Sequence, residues 1–179
     1  MSTVRITGGQ WRSRRLRVID APGLRPTPDR VRETLFNWLG QHLDGATCLD
    51  LFSGSGVLGF ETASRGARHV VLVERHPRVY ATLQQHIALF AAKNMEAVCA
   101  DGVKFAQTCQ NLFDIVFMDP PYEQGWLSRM APLLPRILSP SGQLYIEAES
   151  PVVSLGQWHT VKQGRAGQAF FHLLEKTQT

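Results

Sequence analysis

From residue 46 onward, short apolar runs alternate with stretches of helical periodicity, and few folds accommodate that order. The runs lie at 46–51, 69–73, 96–100, 115–118 and 144–146. A strand with one wet face alternates apolar and polar residues, whereas a continuously apolar strand is covered on both faces, as in a parallel sheet flanked by crossover helices. The clearest crossover spans 77–91, where Pro77 opens the helix and Val79, Leu83, Ile87 and Phe90 fall on one face. Residues 57–65 and 102–110 are shorter crossovers. Pro132 and Pro135 divide 126–138 into two short helices, because an interior proline costs ~3 kcal/mol. Ser139-Pro140-Ser141-Gly142 reads as a turn before the fifth strand, and 157–175 as a closing antiparallel hairpin around Gly164 and Gly167. The expected class is α/β, with a doubly wound, mostly parallel sheet.

A chain of 179 residues suffices for one such unit. No apolar stretch approaches the ~20 residues that cross a bilayer, and the start lacks an apolar leader, so a cytoplasmic protein without a membrane segment is expected. Cys48, Cys99 and Cys109 are widely spaced and the six histidines show no ligand spacing, so no metal is expected.

Charge is uneven along the chain. Residues 1–32 hold eight arginines against Asp20 and Asp29, a net +6, whereas the remainder carries 11 basic and 13 acidic residues, a net −2. Guanidinium groups match phosphate geometry, so this end reads as the footprint of a phosphate-backbone partner. Val4, Ile6, Trp11, Leu16 and Val18 interleave with the charges and predict an ordered hairpin turning at or near Gly8-Gly9. Residues 21–28 form a proline-rich connector, after which Thr27 serves as N-cap and Pro28 as the first helical residue. Val31, Leu35, Trp38 and Leu39 form the apolar stripe of that helix, Gly40 stops it, and Arg30 and Arg32 lie off the stripe. The division expected is 1–27 for hairpin and connector and 28–179 for the main domain.

The segment from Asp50 to Gly59 (Asp-Leu-Phe-Ser-Gly-Ser-Gly-Val-Leu-Gly) stands where the first strand turns into its helix, and Glu74 follows the second strand. Glycines admit a ligand close to the backbone, and an acidic residue after the second strand accepts hydrogen bonds from ribose hydroxyls. The glycine pattern alone also fits a dinucleotide. Asp50 decides, because a carboxylate there repels pyrophosphate but suits S-adenosylmethionine, which carries an ammonium and a sulfonium. Asp101 follows the third strand, where its carboxylate either reaches an adenine amine or caps the next helix. Asp119 follows the fourth.

Asp119-Pro120-Pro121-Tyr122 directly follows the run at 115–118. An exocyclic amine on a flat base is a poor nucleophile, since its lone pair is delocalised into the ring. Two acceptors drawing on its protons push it toward a reactive, pyramidal form, and Asp119 and the Pro120 carbonyl are candidates for that pair. Proline fixes φ near about −65°, which holds the carbonyl in place. Tyr122 offers either a stacking face for a base taken out of its helix or simple packing beside the prolines.

These residues resemble the bacterial 16S ribosomal RNA guanine-N2 methyltransferases of the RsmD type, which modify guanine 966. The resemblance takes in Arg5-Ile6-Thr7-Gly8-Gly9 with residues 14–17, Leu24-Arg25-Pro26-Thr27, and Val31-Arg32-Glu33-Thr34-Leu35-Phe36-Asn37. It continues through the 50–56 loop, Val73-Glu74, Asp119 to Tyr122 and the strand at 142–147. It implies a seven-stranded Rossmann-like methyltransferase sheet with an N-terminal hairpin extension. It also implies S-adenosylmethionine as cofactor, held by Thr27, Asp50, Phe52, Ser53, Gly54, Gly56, Leu58, Gly59, Glu74, Arg75, Asp101, Gly102 and Asp119. Asp119, Pro120 and Tyr122 are the implied catalytic residues, and Arg5, Arg12, Arg14, Arg15, Arg17 and Arg32 are the residues implied to meet RNA. The implied partner is 16S rRNA, within the small subunit or an assembly intermediate, met by a monomer. The competing readings are a DNA methyltransferase acting on adenine N6 or cytosine N4, and a non-catalytic RNA-binding assembly factor.

Overall fold

The computed structural model describes residues 2–121 and 125–177. Its first element is an antiparallel hairpin of β1 (Ser2–Arg5) and β2 (Arg15–Val18), with Val4 opposite Leu16. Strand alternation sends Val4, Leu16 and Val18 inward and leaves Arg5, Arg15 and Arg17 exposed. Gly8 and Gly9 do not form a tight turn at the tip, as the sequence suggested. They belong to a longer connection across residues 6–14, closed by hydrogen bonds between Ile6 and Arg14 and between Ser13 and Ile6. That connection docks on α2 (Val57–Ser64), where the Ser64 carbonyl accepts from the Gln10 N–H at 2.9 Å and the Ser64 hydroxyl donates to the Gly8 carbonyl at 2.6 Å. A side chain at Gly9 would start 2.0 Å from the Ser64 carbonyl oxygen, so its bare Cα is what permits docking.

The helix predicted after the connector is α1 (Asp29–Leu39), with Gly40 at its end at φ +104°. Its N-cap is Pro28 rather than Thr27, whose hydroxyl is committed elsewhere. The buried stripe also differs from the predicted one: Val31, Leu35 and Phe36 are buried as apolar residues, and Arg32 is buried among them at 0% exposure.

The main sheet runs β5 (Met95–Cys99), β4 (His69–Glu74), β3 (Thr47–Asp50), β6 (Phe113–Met118), β7 (Leu138–Ala148), β10 (Ala169–Lys176), β9 (Trp158–Ala166), β8 (Ser154–Leu155). The first five are parallel and the last three antiparallel to their neighbours. The expected seven strands are present, with the two-residue β8 added at the edge. Crossovers are α2, α3 (Pro77–Leu89), α4 (Gly102–Thr108), and a broken segment of α5 (Trp126–Met130), a 3₁₀ turn at Ala131–Leu133 and α6 (Leu134–Ile137). The prolines thus break that segment as predicted. Residues 139–142 are not a turn preceding the strand: β7 already pairs at Leu138 with Phe113, and these residues bulge out before pairing resumes at Gln143 with Ile115.

Side chains from alternate strand positions feed two cores. Cys48, Val70, Leu72, Phe117 and Tyr145 meet the hairpin, α1 and α2, whereas Leu49, Val71, Val116, Leu144 and Ile146 meet the helices of the other face. Burial on both sides explains the unbroken apolarity of the runs. Among the described residues no helix is long and apolar enough to cross a membrane.

Candidate active site

Chain order reverses between β3 and β6, and the diverging carboxyl ends of such strands leave a crevice. Leu51 N–H bonds to the Phe117 carbonyl at 3.1 Å and Ser53 N–H to the Val73 carbonyl at 3.0 Å, so the loop after β3 straddles both neighbours. The crevice is a cavity of about 920 Å³, lined by the connector at residues 21–28 and by Asp50, Glu74, Asp101, Asp119 and Glu147. Four of these are the carboxylates that the sequence placed after successive strands.

Phe52, Ser53, Gly54 and Leu58 line the cavity, as do Thr27, Arg75, Gly102 and Pro120. Two predicted cofactor glycines do not. Gly56 caps α2 at φ +79° with Leu83 2.6 Å from where a Cβ would sit, and Gly59 faces Leu72 at 2.1 Å. Gly56 thus lets α2 start against α3 and Gly59 lets α2 lie on β4, and the Gly59 N–H serves the site indirectly by hydrogen bonding to Asp50. Gly102 allows α4 to start 2.8 Å from the Leu51 carbonyl, measured from a hypothetical Cβ.

Each acidic residue has a distinct role. Glu74 Oε2 accepts from the Gly54 N–H at 3.0 Å and Oε1 from the His76 N–H at 2.8 Å, which sets the carboxylate beside the glycine loop. Asp101 caps α4, accepting from the Lys104 N–H at 3.0 Å. Burial, then the charge of Glu74, pushes the Asp50 carboxyl up to about 7, although N–H groups of Gly59 and Phe52 partly offset this. Asp119 is likewise raised well above the ordinary carboxyl range, first by burial and then by the charges of Glu147 and Asp50 and a hydrogen bond with Glu147. Clustered carboxylates of this kind repel phosphate and favour a ligand that brings positive charge.

Glu147 was not among the predicted site residues. Its Oε1 accepts from the Thr27 hydroxyl at 2.9 Å and the Tyr145 hydroxyl at 2.7 Å, which joins the connector to the strand edge. The signal was available: Glu147 follows the apolar run at 144–146 as Asp119 follows that at 115–118. Tyr122 lies outside the described residues.

The basic extension divides into two kinds of arginine. Arg12, Arg14, Arg15 and Arg17 are exposed, with Arg14 also 3.7 Å over the Phe90 ring and Arg17 bonded to Gln85 at 3.1 Å. Arg5 is exposed as well and pairs with Asp29 at 2.7 Å. Arg32 departs from the expected role of meeting RNA, because its guanidinium is enclosed and fully committed. It donates to the Thr27 carbonyl at 2.9 Å, the Arg5 carbonyl at 2.7 Å and Glu61 at 2.5 Å, and pairs with Asp29. Glu61 also meets Arg65 at 3.4 Å and accepts from the Thr7 hydroxyl at 2.8 Å.

The chain matches the family described as conserved hypothetical protein 95 over residues 4–175. It is 40% identical over 179 residues to ribosomal RNA small subunit methyltransferase D of Escherichia coli, covering 97% of this chain and 90% of that protein. The protein of the same name from Haemophilus influenzae is 36% identical over 180 residues, covering 96% and 93% respectively. A solved Escherichia coli structure, described as a candidate methyltransferase, superposes with a TM-score of 0.88 at 38% identity, covering 99% of this chain and all of that one. A solved candidate methylase from Haemophilus influenzae gives 0.84 at 32% identity, again over 99% of this chain and all of its own. With the carboxylate-lined crevice, the arginine-bearing hairpin and a match spanning nearly every residue, the chain belongs to this family, that of the RsmD-type methyltransferases.

Proposed function

We propose that this protein transfers a methyl group from S-adenosylmethionine to the exocyclic N2 amine of a guanine in 16S ribosomal RNA, the position resembling guanine 966, in the cytoplasm. The observation that carries the reading is that Asp119, Pro120 and Glu147, after β6 and on β7, line the same cavity as the glycine loop after β3 and Glu74 of β4. The residues suit such a cofactor: Glu74 stands beside the glycine loop, and the carboxylates that line the cavity offset positive charge. When bound, S-adenosylmethionine supplies a methyl group carried on a sulfonium.

The chain's own residues hold and activate the acceptor. Asp119 and the Pro120 carbonyl accept hydrogen bonds from the two amine N–H groups and turn the nitrogen lone pair toward the methyl group. Holding the reactants in line contributes on the order of 7 to 11 kcal/mol to lowering the barrier. Once methylated, the amine is acidic, and its proton leaves to Asp119 or to water. Nucleosides from 16S rRNA of cells with and without this gene, resolved by mass spectrometry, test the reading. The N2-methylguanosine content should fall when the gene is absent, and an unchanged level would reject it.

The hairpin arginines act on the RNA backbone. Exchanging Arg12, Arg14, Arg15 and Arg17 for glutamine should weaken RNA binding and lower the salt slope by roughly 0.7 to 0.9 for each phosphate that is no longer neutralised. Binding measured across a salt series checks this, and an unaltered slope would remove the phosphate role.

Binding should also be linked to pH. In the free protein Asp50 stays largely protonated below about 7, compared with its ordinary value of 3.8. A cationic ligand favours the ionised form, so its uptake releases a proton, and affinity for S-adenosylmethionine should rise between roughly pH 5 and 7 and then level off. By the same linkage, the free protein loses stability as pH climbs from about 4 through 7, where unfolding would ionise a carboxyl that the fold keeps neutral. Calorimetry in buffers of differing ionisation heat reads the released proton; affinity that is flat over this range would contradict the assignment.

A further inference from the structure

We propose that Glu147 reads the hydrogen-bonding edge of the target base and thereby restricts the site to guanine, an inference that rests on the guanine reading above. Strands β6 and β7 pair in register at Met118 and Ile146, so the next residues, Asp119 and Glu147, emerge side by side at the sheet edge. Both line the cavity and they share a hydrogen bond. The Thr27 and Tyr145 hydroxyls, at 2.9 and 2.7 Å on Oε1, fix the orientation of the Glu147 carboxylate.

One carboxylate and one carbonyl suffice to hold an amine, whichever base carries it. A second carboxylate beside the first demands another donor, and the three amine-bearing bases differ at that position. Guanine places N1–H next to its N2 amine. Adenine and cytosine place a bare ring nitrogen next to theirs, which would set a lone pair against the Glu147 oxygen. On binding, guanine's N2–H and N1–H donate to Asp119 and Glu147 respectively, and the one proton these two carboxyls share in the free site leaves to solvent. A site built to accept a hydrogen bond rejects a ligand lacking the donor far more strongly than one that merely fits by shape.

The test uses small-subunit particles whose 16S rRNA carries, at the methylated position, either guanosine or 2-aminopurine riboside. The analogue keeps the amine on C2 but has no N1–H. The unmodified protein should methylate guanosine at least about 100-fold faster. In Glu147→Gln, whose amide can donate to the bare nitrogen, the ratio should fall below about tenfold while affinity for S-adenosylmethionine stays within about twofold. Equal rates of the unmodified protein on both substrates would overturn the proposal without recourse to any variant. So would a variant that keeps the original ratio, or one whose main loss is cofactor affinity, which would assign Glu147 to the methionine end. Failure to methylate guanosine at all would instead remove the substrate reading beneath it.

Discussion

Asp119→Ala should lower methyl transfer to RNA by about 10²- to 10⁴-fold at saturating substrates, the range expected when a group that polarises or accepts a proton is lost. Asp119 is held at the end of β6 by the sheet behind it, and Pro120 fixes the direction in which the chain leaves. Alanine removes one of two acceptors, so the amine remains conjugated with its ring and its lone pair is not aimed. Asp119→Asn should fall between, since it keeps the shape and one acceptor oxygen but loses the charge. Single-turnover measurement with labelled cofactor separates this step from binding. An alanine variant of near-normal rate would end the assignment.

Glu61→Leu should be the most destabilising single replacement outside the apolar core. Arg32 and Arg65 both rest on this carboxylate, and the side-chain exposures are 0% for Arg32, 4% for Arg65 and 0% for Glu61 itself. Removing one partner of a buried ion pair costs about 3 to 5 kcal/mol; here Arg65 loses the acidic partner it has among the described residues, while Arg32 keeps Asp29 alone. For a domain of this size each kcal/mol shifts the melting temperature by about 2 to 4 °C, so a fall of roughly 6 to 20 °C is expected. Replacing all three groups together, by Arg32→Met, Glu61→Leu and Arg65→Met, should recover much of that loss. A thermal melt of the single variant within about two degrees of the unmodified protein would show that the cluster contributes little.

The sheet was legible because a strand buried on both faces writes its burial into consecutive residues, as at 69–73 and 115–118. The carboxylates were legible for a related reason: an acidic residue at or just past the end of such a run marks the sheet edge, and Asp50, Glu74, Asp101 and Asp119 were found that way. Arg32 was not legible. Its partner Glu61 is 29 positions away, and periodicity reports apolarity, not a charge neutralised by a distant one. Thr27 was misread as a cap because its local setting, before Pro28 and Asp29, fits that role, whereas its bond to Glu147 spans 120 positions. Gly56 and Gly59 look like ligand glycines by spacing, but the side chains that require them, Leu83 and Leu72, come from a later helix and strand.

Ile6 and Leu16 of the hairpin are fully enclosed, and Trp11 meets the rings of Phe60 and Phe90 with centroids 6.2 and 5.3 Å away. A shortened chain beginning near Pro28 would therefore bare those rings to water and report collapse rather than a weakened grip on RNA. The basic arm cannot be trimmed or transplanted as a module, and its surface can be probed only by exchanging the outward arginines while the apolar side chains beneath them stay in place.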